Sequence, residues 1–194
     1  MNVAILGGSF DPVHIGHLFI AEEVKLSLGY DRIIFVPAYQ PPHKNNRPEA
    51  NDEARLAMLR LAVNGREDFD IDSYEIDRQG VSYTIDTVAY LEDRLSVTGK
   101  LGLIIGDDLV DTFDTWKNAD ELSSRVDIIV ATRDMIDGRR ARSGLLNGFR
   151  RIDNSPLPVS SSEIRERIRA GRAFRYLVPE RVHDYIDQNC LYTN

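Results

Sequence analysis

Val3-Ala4-Ile5-Leu6 runs directly into Gly7-Gly8-Ser9-Phe10-Asp11-Pro12-Val13-His14-Ile15-Gly16-His17, and an amphipathic stretch follows from Leu18 to Leu28. An apolar run, a tight glycine turn and a helix start, in that order, predict a strand feeding a helix. Such a turn suits a phosphate. Glycines let a ligand approach the backbone, and a helix N-terminus offers N–H groups at the positive end of its dipole. His14 and His17 stand at the mouth of the turn, where ring N–H groups can meet phosphoryl oxygens. The pair also suits half of a metal site, but no cysteine cluster lies nearby and the other histidines are His43 and His183. A helix opening after a glycine turn is not a core position, which argues against a purely structural pair.

Outward from this stretch, strand-like and helix-like segments alternate. Residues 32–36 (Arg-Ile-Ile-Phe-Val) form a β-rich run ending at Pro37. Ala54, Met58, Leu61 and Ala62 keep helical spacing, as do Ile85, Val88, Ala89 and Leu95. Leu101 to Ile105 and Val126 to Ala131 are continuous apolar runs, the pattern of strands buried on both faces of a parallel sheet. The alternation predicts an α/β fold, a doubly wound and mostly parallel sheet in three layers, with ligands at the carboxyl ends of strands. Candidate site segments fall there: 7–17 after the first strand, 37–44 after the second, 106–108 after Ile105, and Arg133 after Ala131. Residues 134–150, with Arg139, Arg140 and Arg142 among three glycines, read as an irregular surface segment.

The chain has 194 residues, 42% apolar and 28% charged, which fits one domain over 1–194. No apolar run approaches the roughly 18 residues of a membrane helix and no basic-apolar leader precedes the first strand, so no membrane association is expected. A single cysteine, Cys190, rules out an internal disulfide and suits a cytoplasmic protein. The net charge of −7 argues against a nucleic-acid partner, because duplex affinity comes mainly from neutralised phosphates. An acidic chain that handles polyphosphates must concentrate positive charge locally, and His14/His17, His43-Lys44, Arg133 and Arg165 are the candidates. The sequence leaves the oligomeric state open.

In the C-terminal third, Ser160 and Glu163 have capping-box spacing, so a helix should begin there with Ile164 and Ile168 facing inward. Three successive hydroxyls, Ser160-Ser161-Ser162, at a helix N-terminus also form a cradle for polyphosphate, with Arg165 one turn inside. A last helix is expected from Pro179, burying Val182, Tyr185 and Ile186, with His183 on the surface.

The stretch Gly7 to His17 resembles the signature of nucleotidyltransferases with a His-x-Gly-His motif, whose Rossmann-like fold agrees with the alternation above. Class I aminoacyl-tRNA synthetases share the His-Ile-Gly-His sequence, but their lysine-rich second signature is missing here. Instead Ser160-Ser161-Ser162-Glu163-Ile164-Arg165 is similar to the second transferase signature, with serine where threonine is common. The resemblance runs from Val3 to Tyr192 and is closest to the bacterial nicotinate mononucleotide adenylyltransferases. It is carried further by Pro41-Pro42-His43-Lys44, Ser82-Tyr83-Thr84, Ile104-Ile105-Gly106-Asp107-Asp108, Thr115-Trp116, and Leu177-Val178-Pro179 onward. Phosphopantetheine adenylyltransferases usually carry threonine where this chain has His14. One departure is that the family's strand-end arginine is usually followed by Pro-Gly, whereas Arg133 precedes Asp134-Met135.

The resemblance implies transfer of AMP from ATP to nicotinate mononucleotide, giving deamido-NAD and pyrophosphate, within NAD biosynthesis. It implies catalytic roles for His14, His17, Lys44 and Arg165. ATP contacts would come from Gly8, Ser9, Phe10, His17, Gly106, Asp108, Ser160, Ser161, Ser162 and Arg165, the segment from about 160 completing the ATP site. Mononucleotide contacts would come from Gly8, Ser9, His43, Lys44, Tyr83, Thr84, Trp116 and Arg133. Mg²⁺ is expected to bridge the triphosphate through phosphate oxygens and water, with no dedicated protein ligands. Asp108 has helix capping as its alternative role, and Trp116 a place in the core. A domain that binds ATP without turnover also remains open, since fold alone does not imply activity.

Overall fold

A computed structural model describes residues 1–41, 47–97, 99–132 and 148–193. Among them, β1 (Val3–Gly8), β2 (Arg32–Pro37), β3 (Phe69–Ile71), β4 (Leu101–Gly106), β5 (Val126–Ala131) and β6 (Arg150–Arg151) form one sheet. Its order is β3-β2-β1-β4-β5-β6, and every neighbouring pair is parallel. The helices are α1 (Ile15–Leu28), α2 (Asp52–Val63), α3 (Tyr74–Arg78), α4 (Thr84–Arg94), α5 (Ala119–Arg125), α6 (Ser161–Arg169) and α7 (Glu180–Gln188). Short 3₁₀ helices span Asp107–Thr115 and Arg175–Leu177.

The apolar strand runs are buried because both faces of the sheet are covered. Along β1 and β2 the period of two splits each run between two cores. Ala4, Leu6, Ile33 and Phe35 face α1, α2, α6 and α7, joining Val24, Met58, Leu59, Ile164 and Val182. Val3, Ile5, Ile34 and Val36 face the other side, where α4, α5 and the 107–115 helix supply Val88, Leu91, Phe113 and Leu122. Each fully buried aliphatic or aromatic side chain contributes about 1.5–3 kcal/mol, so the two clusters hold the three layers together. Gly102 is required by this packing: a Cβ there would lie 2.6 Å from the Tyr30 hydroxyl and 2.8 Å from Ala4 Cβ.

Strand order is what creates a site. From β1 the chain winds outward through β2 and β3, then returns to β4 on the other side of β1 and winds outward again. Connections from β1 and β4 therefore leave in opposite directions and open a crevice at their carboxyl ends. Four features differ from the sequence expectations. Gly7 and Gly8, expected in the turn, are the last residues of β1 and pair with Val36 and Pro37. Arg150, assigned to an irregular segment, pairs with Ile129 in β6, and Arg151 pairs with Val130. Pro179 precedes α7 as its N-cap instead of opening it. His183 is not a surface residue: its side chain is 12% exposed and its ring stacks on Phe174 at 4.7 Å. None of the described helices is long and apolar enough to cross a membrane.

Candidate active site

The crevice holds a cavity of about 780 Å³. Its walls include Gly8, Ser9, Phe10, His17, Tyr83, Thr84, Gly106, Asp108, Trp116, Ser160, Ser161, Ser162 and Arg165, so segments far apart in sequence meet there. His43, Lys44, Arg133 and most of the 134–150 segment lie outside the described residues.

His17 occupies the third position of α1, after the N-cap His14. Its Nδ1 accepts the backbone N–H of His14 at 3.2 Å, so the proton of the neutral ring resides on Nε2 and that nitrogen is the donor. The ring is fixed from two further sides: it stacks on His14 at 3.7 Å and meets the edge of Phe10 at 4.9 Å. No acidic residue lies in the first turn of α1 to oppose an anion.

His14 departs from its expected position at the mouth of the turn. It is 2% exposed, outside the main cavity, and borders a small void of about 20 Å³ behind α1. The reason is local: the N-cap residue is extended, and its ring folds back beneath the helix against Gly16. Phe10 is likewise 1% exposed, so its ring serves as packing for His17 and Gly8. Gly16, part of the His-x-Gly-His motif but given no role from the sequence, is essential to this stack. A Cβ there would lie 2.9 Å from Val159 Cγ1 and 3.1 Å from His14 Nδ1. Gly16→Ala should therefore cost about 1–3 kcal/mol of stability and lower kcat by displacing the histidine stack. Denaturant unfolding and steady-state kinetics measure both, and a variant of wild-type stability and turnover would contradict this packing account.

The opposite wall is α6. Ser160 caps it, its Oγ accepting the Glu163 N–H at 3.1 Å, and Ser161 Oγ donates to the Pro12 carbonyl at 2.9 Å. Arg165 donates to the Asp11 carbonyl at 2.7 Å and to Glu49 at 2.8 Å. Asp11 joins these pieces. Its carboxylate, 3% exposed, accepts the N–H groups of Glu49 and Ala50 at 2.8 and 3.1 Å and the Tyr192 hydroxyl at 2.8 Å. Hydrogen bonds to a charged group contribute about 1.5–3 kcal/mol each, so Asp11 ties the glycine turn to the 49–50 segment and to the C-terminal end. Fully buried Arg55 adds a further tie, donating to the Ser9 carbonyl at 2.7 Å and to Asp52 at 2.5 Å. Burial alone would raise the Glu49 carboxyl, but Arg169 and Arg165 hold it below the usual carboxylate range.

A third wall follows β2 and β4. Gly106 is the N-cap of the 107–115 helix, so Asp108 does not cap it and instead lines the cavity. Trp116 closes that helix, packed against Phe113 at 5.2 Å with one side towards the cavity. Tyr83 is the N-cap of α4 and Thr84 its first residue. Lys117, missed in the sequence, reaches over the Tyr83 ring at 4.4 Å from its centroid and pairs with Asp86 at 3.1 Å. The signal for Asp11 was present, as a carboxylate inside a turn otherwise free of charge. For Glu49 and Lys117 there was none.

A glycine-ended strand leading to a helix N-terminus, a directed imidazole and a serine-arginine wall around one crevice define a nucleotide-handling α/β enzyme. The chain belongs to the cytidylyltransferase-like family, whose model matches residues 5–167. Among its relatives, a protein of Borreliella afzelii is 42% identical over 99% of this chain and 97% of its own length. One of Salinibacter ruber is 40% identical over 99% and 98%. Both bear the name probable nicotinate-nucleotide adenylyltransferase. The fold is shared with Plasmodium falciparum nicotinic acid mononucleotide adenylyltransferase complexed with NaAD, at a TM-score of 0.78 and 19% identity, covering 98% of this chain and 97% of that one.

Proposed function

We propose that this chain is a nicotinate-nucleotide adenylyltransferase, moving AMP from ATP to nicotinate mononucleotide with release of pyrophosphate. The observation that carries this reading is the meeting of His17 with the Ser160–Arg165 segment across one cavity, beside a separate aromatic wall formed by Tyr83 and Trp116. Family membership and the names of full-length relatives support it.

The phosphate of the mononucleotide attacks the α-phosphorus of ATP in line, a new P–O bond forms, and the bond to the β-phosphate oxygen breaks. The nucleophile is already an anion, so the protein needs no general base. Positioning two reactants can supply about 7–11 kcal/mol. His17 Nε2–H is assigned to the α-phosphate, where a charge-assisted bond strengthens as negative charge shifts. His14 supports that ring from behind. Ser9 and the Gly7-Gly8 end of β1 admit the adenylyl group, while Asp108, just after β4, is assigned to the adenosine ribose.

Arg165 and the serine triplet are assigned to the β- and γ-phosphates, with His43 and Lys44 as further candidates for phosphate and mononucleotide contacts and Arg133 for the mononucleotide. Among the described residues no group of three or more His, Cys, Asp or Glu could cage a metal ion. ATP is taken as its Mg²⁺ complex, in which phosphate oxygens and water would hold the ion. Residues 1–194 act as one domain, its C-terminal part completing the ATP wall through Asp11. We place the protein in the cytoplasm, in keeping with one exposed cysteine, Cys190.

Arg165→Gln is expected to raise KM for ATP several-fold more than KM for the mononucleotide. Equal effects on both would assign Arg165 to the fold alone. The assignment itself is tested by pyrophosphate release with ATP and Mg²⁺ against nicotinate mononucleotide, nicotinamide mononucleotide and phosphopantetheine in parallel. The first should turn over best, and a preference for phosphopantetheine would overturn it.

A further inference from the structure

Glu75, in α3, lies outside every segment that the sequence singled out, yet it lines the cavity and is 7% exposed. A carboxyl removed from water must be matched by hydrogen bonds. Thr87 Oγ1 donates to its Oε1 at 2.5 Å, and the nearby Ser82 hydroxyl also pulls the carboxyl down. Burial pushes the Glu75 carboxyl up, against the pull of those two hydroxyls, so the net direction is upward.

The Ser82 hydroxyl has one proton and two lone pairs. Ser82 is buried and its oxygen accepts the N–H groups of Tyr39 and Gln40 at 3.0 and 3.4 Å, which leaves its proton for the neighbouring Glu75 carboxyl. The Ser82 N–H in turn donates to the Gln40 carbonyl at 2.9 Å, and Gln40 bridges Val81 in parallel. Two segments are thereby joined: the one leaving β2, with Ala38 and Pro41 on the cavity wall, and the start of α4, with Tyr83 and Thr84. Thr87, one turn into α4, is held by the same carboxyl.

We propose that Glu75 is a positioning residue for the mononucleotide half of the reaction, fixing the Ser82 hydroxyl so that the 38–41 segment and the first turn of α4 keep the separation the mononucleotide needs. The inference rests on the function proposed above, because it takes the Tyr83–Thr84 wall as the mononucleotide side. It assigns Glu75 no contact with the reacting atoms.

Glu75→Ala is expected to raise KM for nicotinate mononucleotide tenfold or more and to leave KM for ATP within twofold. Glu75→Gln, which keeps one acceptor oxygen, should recover part of the loss. Combining Glu75→Gln with Ser82→Ala should raise KM no further than the larger single effect, since both break one chain of contacts. Equal rises in both KM values, or additive effects in the double variant, would overturn the proposal. If Glu75→Ala does not fold, Glu75→Gln carries the same readout. Amide hydrogen exchange without substrate separates this inference from the activity assignment. Exchange at Tyr39 and Gln40 should accelerate at least tenfold in Glu75→Gln, and unchanged exchange there overturns the positioning role. Wild-type protein inactive towards nicotinate mononucleotide would instead overturn the assignment of function.

Discussion

His17→Ala is expected to lower kcat by about a hundredfold or more, which corresponds to about 2.7 kcal/mol of transition-state stabilisation. The reason is geometric. The bond from the His14 N–H to Nδ1 leaves Nε2 as the donor, and contacts with His14 and Phe10 fix the ring plane. A donor already aimed requires no reorganisation when charge shifts towards the departing pyrophosphate. The fold should tolerate the change, because the lost bond to the helix start is of capping type and contributes about 0.5–2 kcal/mol. Saturating kinetics together with thermal unfolding separate the two effects. Wild-type turnover in a folded variant would remove His17 from the mechanism.

Nicotinate mononucleotide should be preferred over its amide by at least tenfold in kcat/KM. The start of α4 offers first-turn N–H groups at a positive dipole end, suited to a carboxylate. Lys117 stands over Tyr83 in the same wall. Asp86, in the first turn of α4, pairs with Lys117, which offsets its charge. Glu75 is engaged by Thr87, whose Oγ1 donates to its Oε1 at 2.5 Å. A hydrogen bond to a charged group is worth about 1.5–3 kcal/mol, against about 1 for a neutral one, and the amide would turn its NH₂ towards a donor. Comparable efficiency with the two mononucleotides would sink this description of the pocket while leaving adenylyl transfer intact.

The strands β1, β4 and β5 were legible because a sheet covered on both faces needs unbroken apolar runs, and few other structures tolerate them. Helices α4 and α6 were legible from spacing and, for α6, from its cap. β6 was not, since Arg150-Arg151 carries no strand pattern and owes its strand form to pairing with β5. α3 and the 107–115 helix are similarly short or irregular. The 7–17 stretch and Asp108 could be placed at strand ends because the topology puts such segments on one edge, Ser160–Ser162 at a helix start from their capping spacing, and Trp116 through the family resemblance alone. What failed was burial at the turn. Nothing in the sequence around His14 says that its ring folds beneath α1, since this depends on Gly16 and on Val159 from a distant segment. The same holds for the supporting network. Asp11 meets Tyr192 across 181 residues and the Arg165 guanidinium across 154, separations that local pattern cannot register.

Labelled ATP gives the most direct test of the central claim. With the label on the α-phosphorus, and with Mg²⁺ and nicotinate mononucleotide present, it should appear in the dinucleotide as unlabelled pyrophosphate is released in equal amount. Label that remains in ATP, or emerges as free AMP with no dinucleotide formed, would contradict the account.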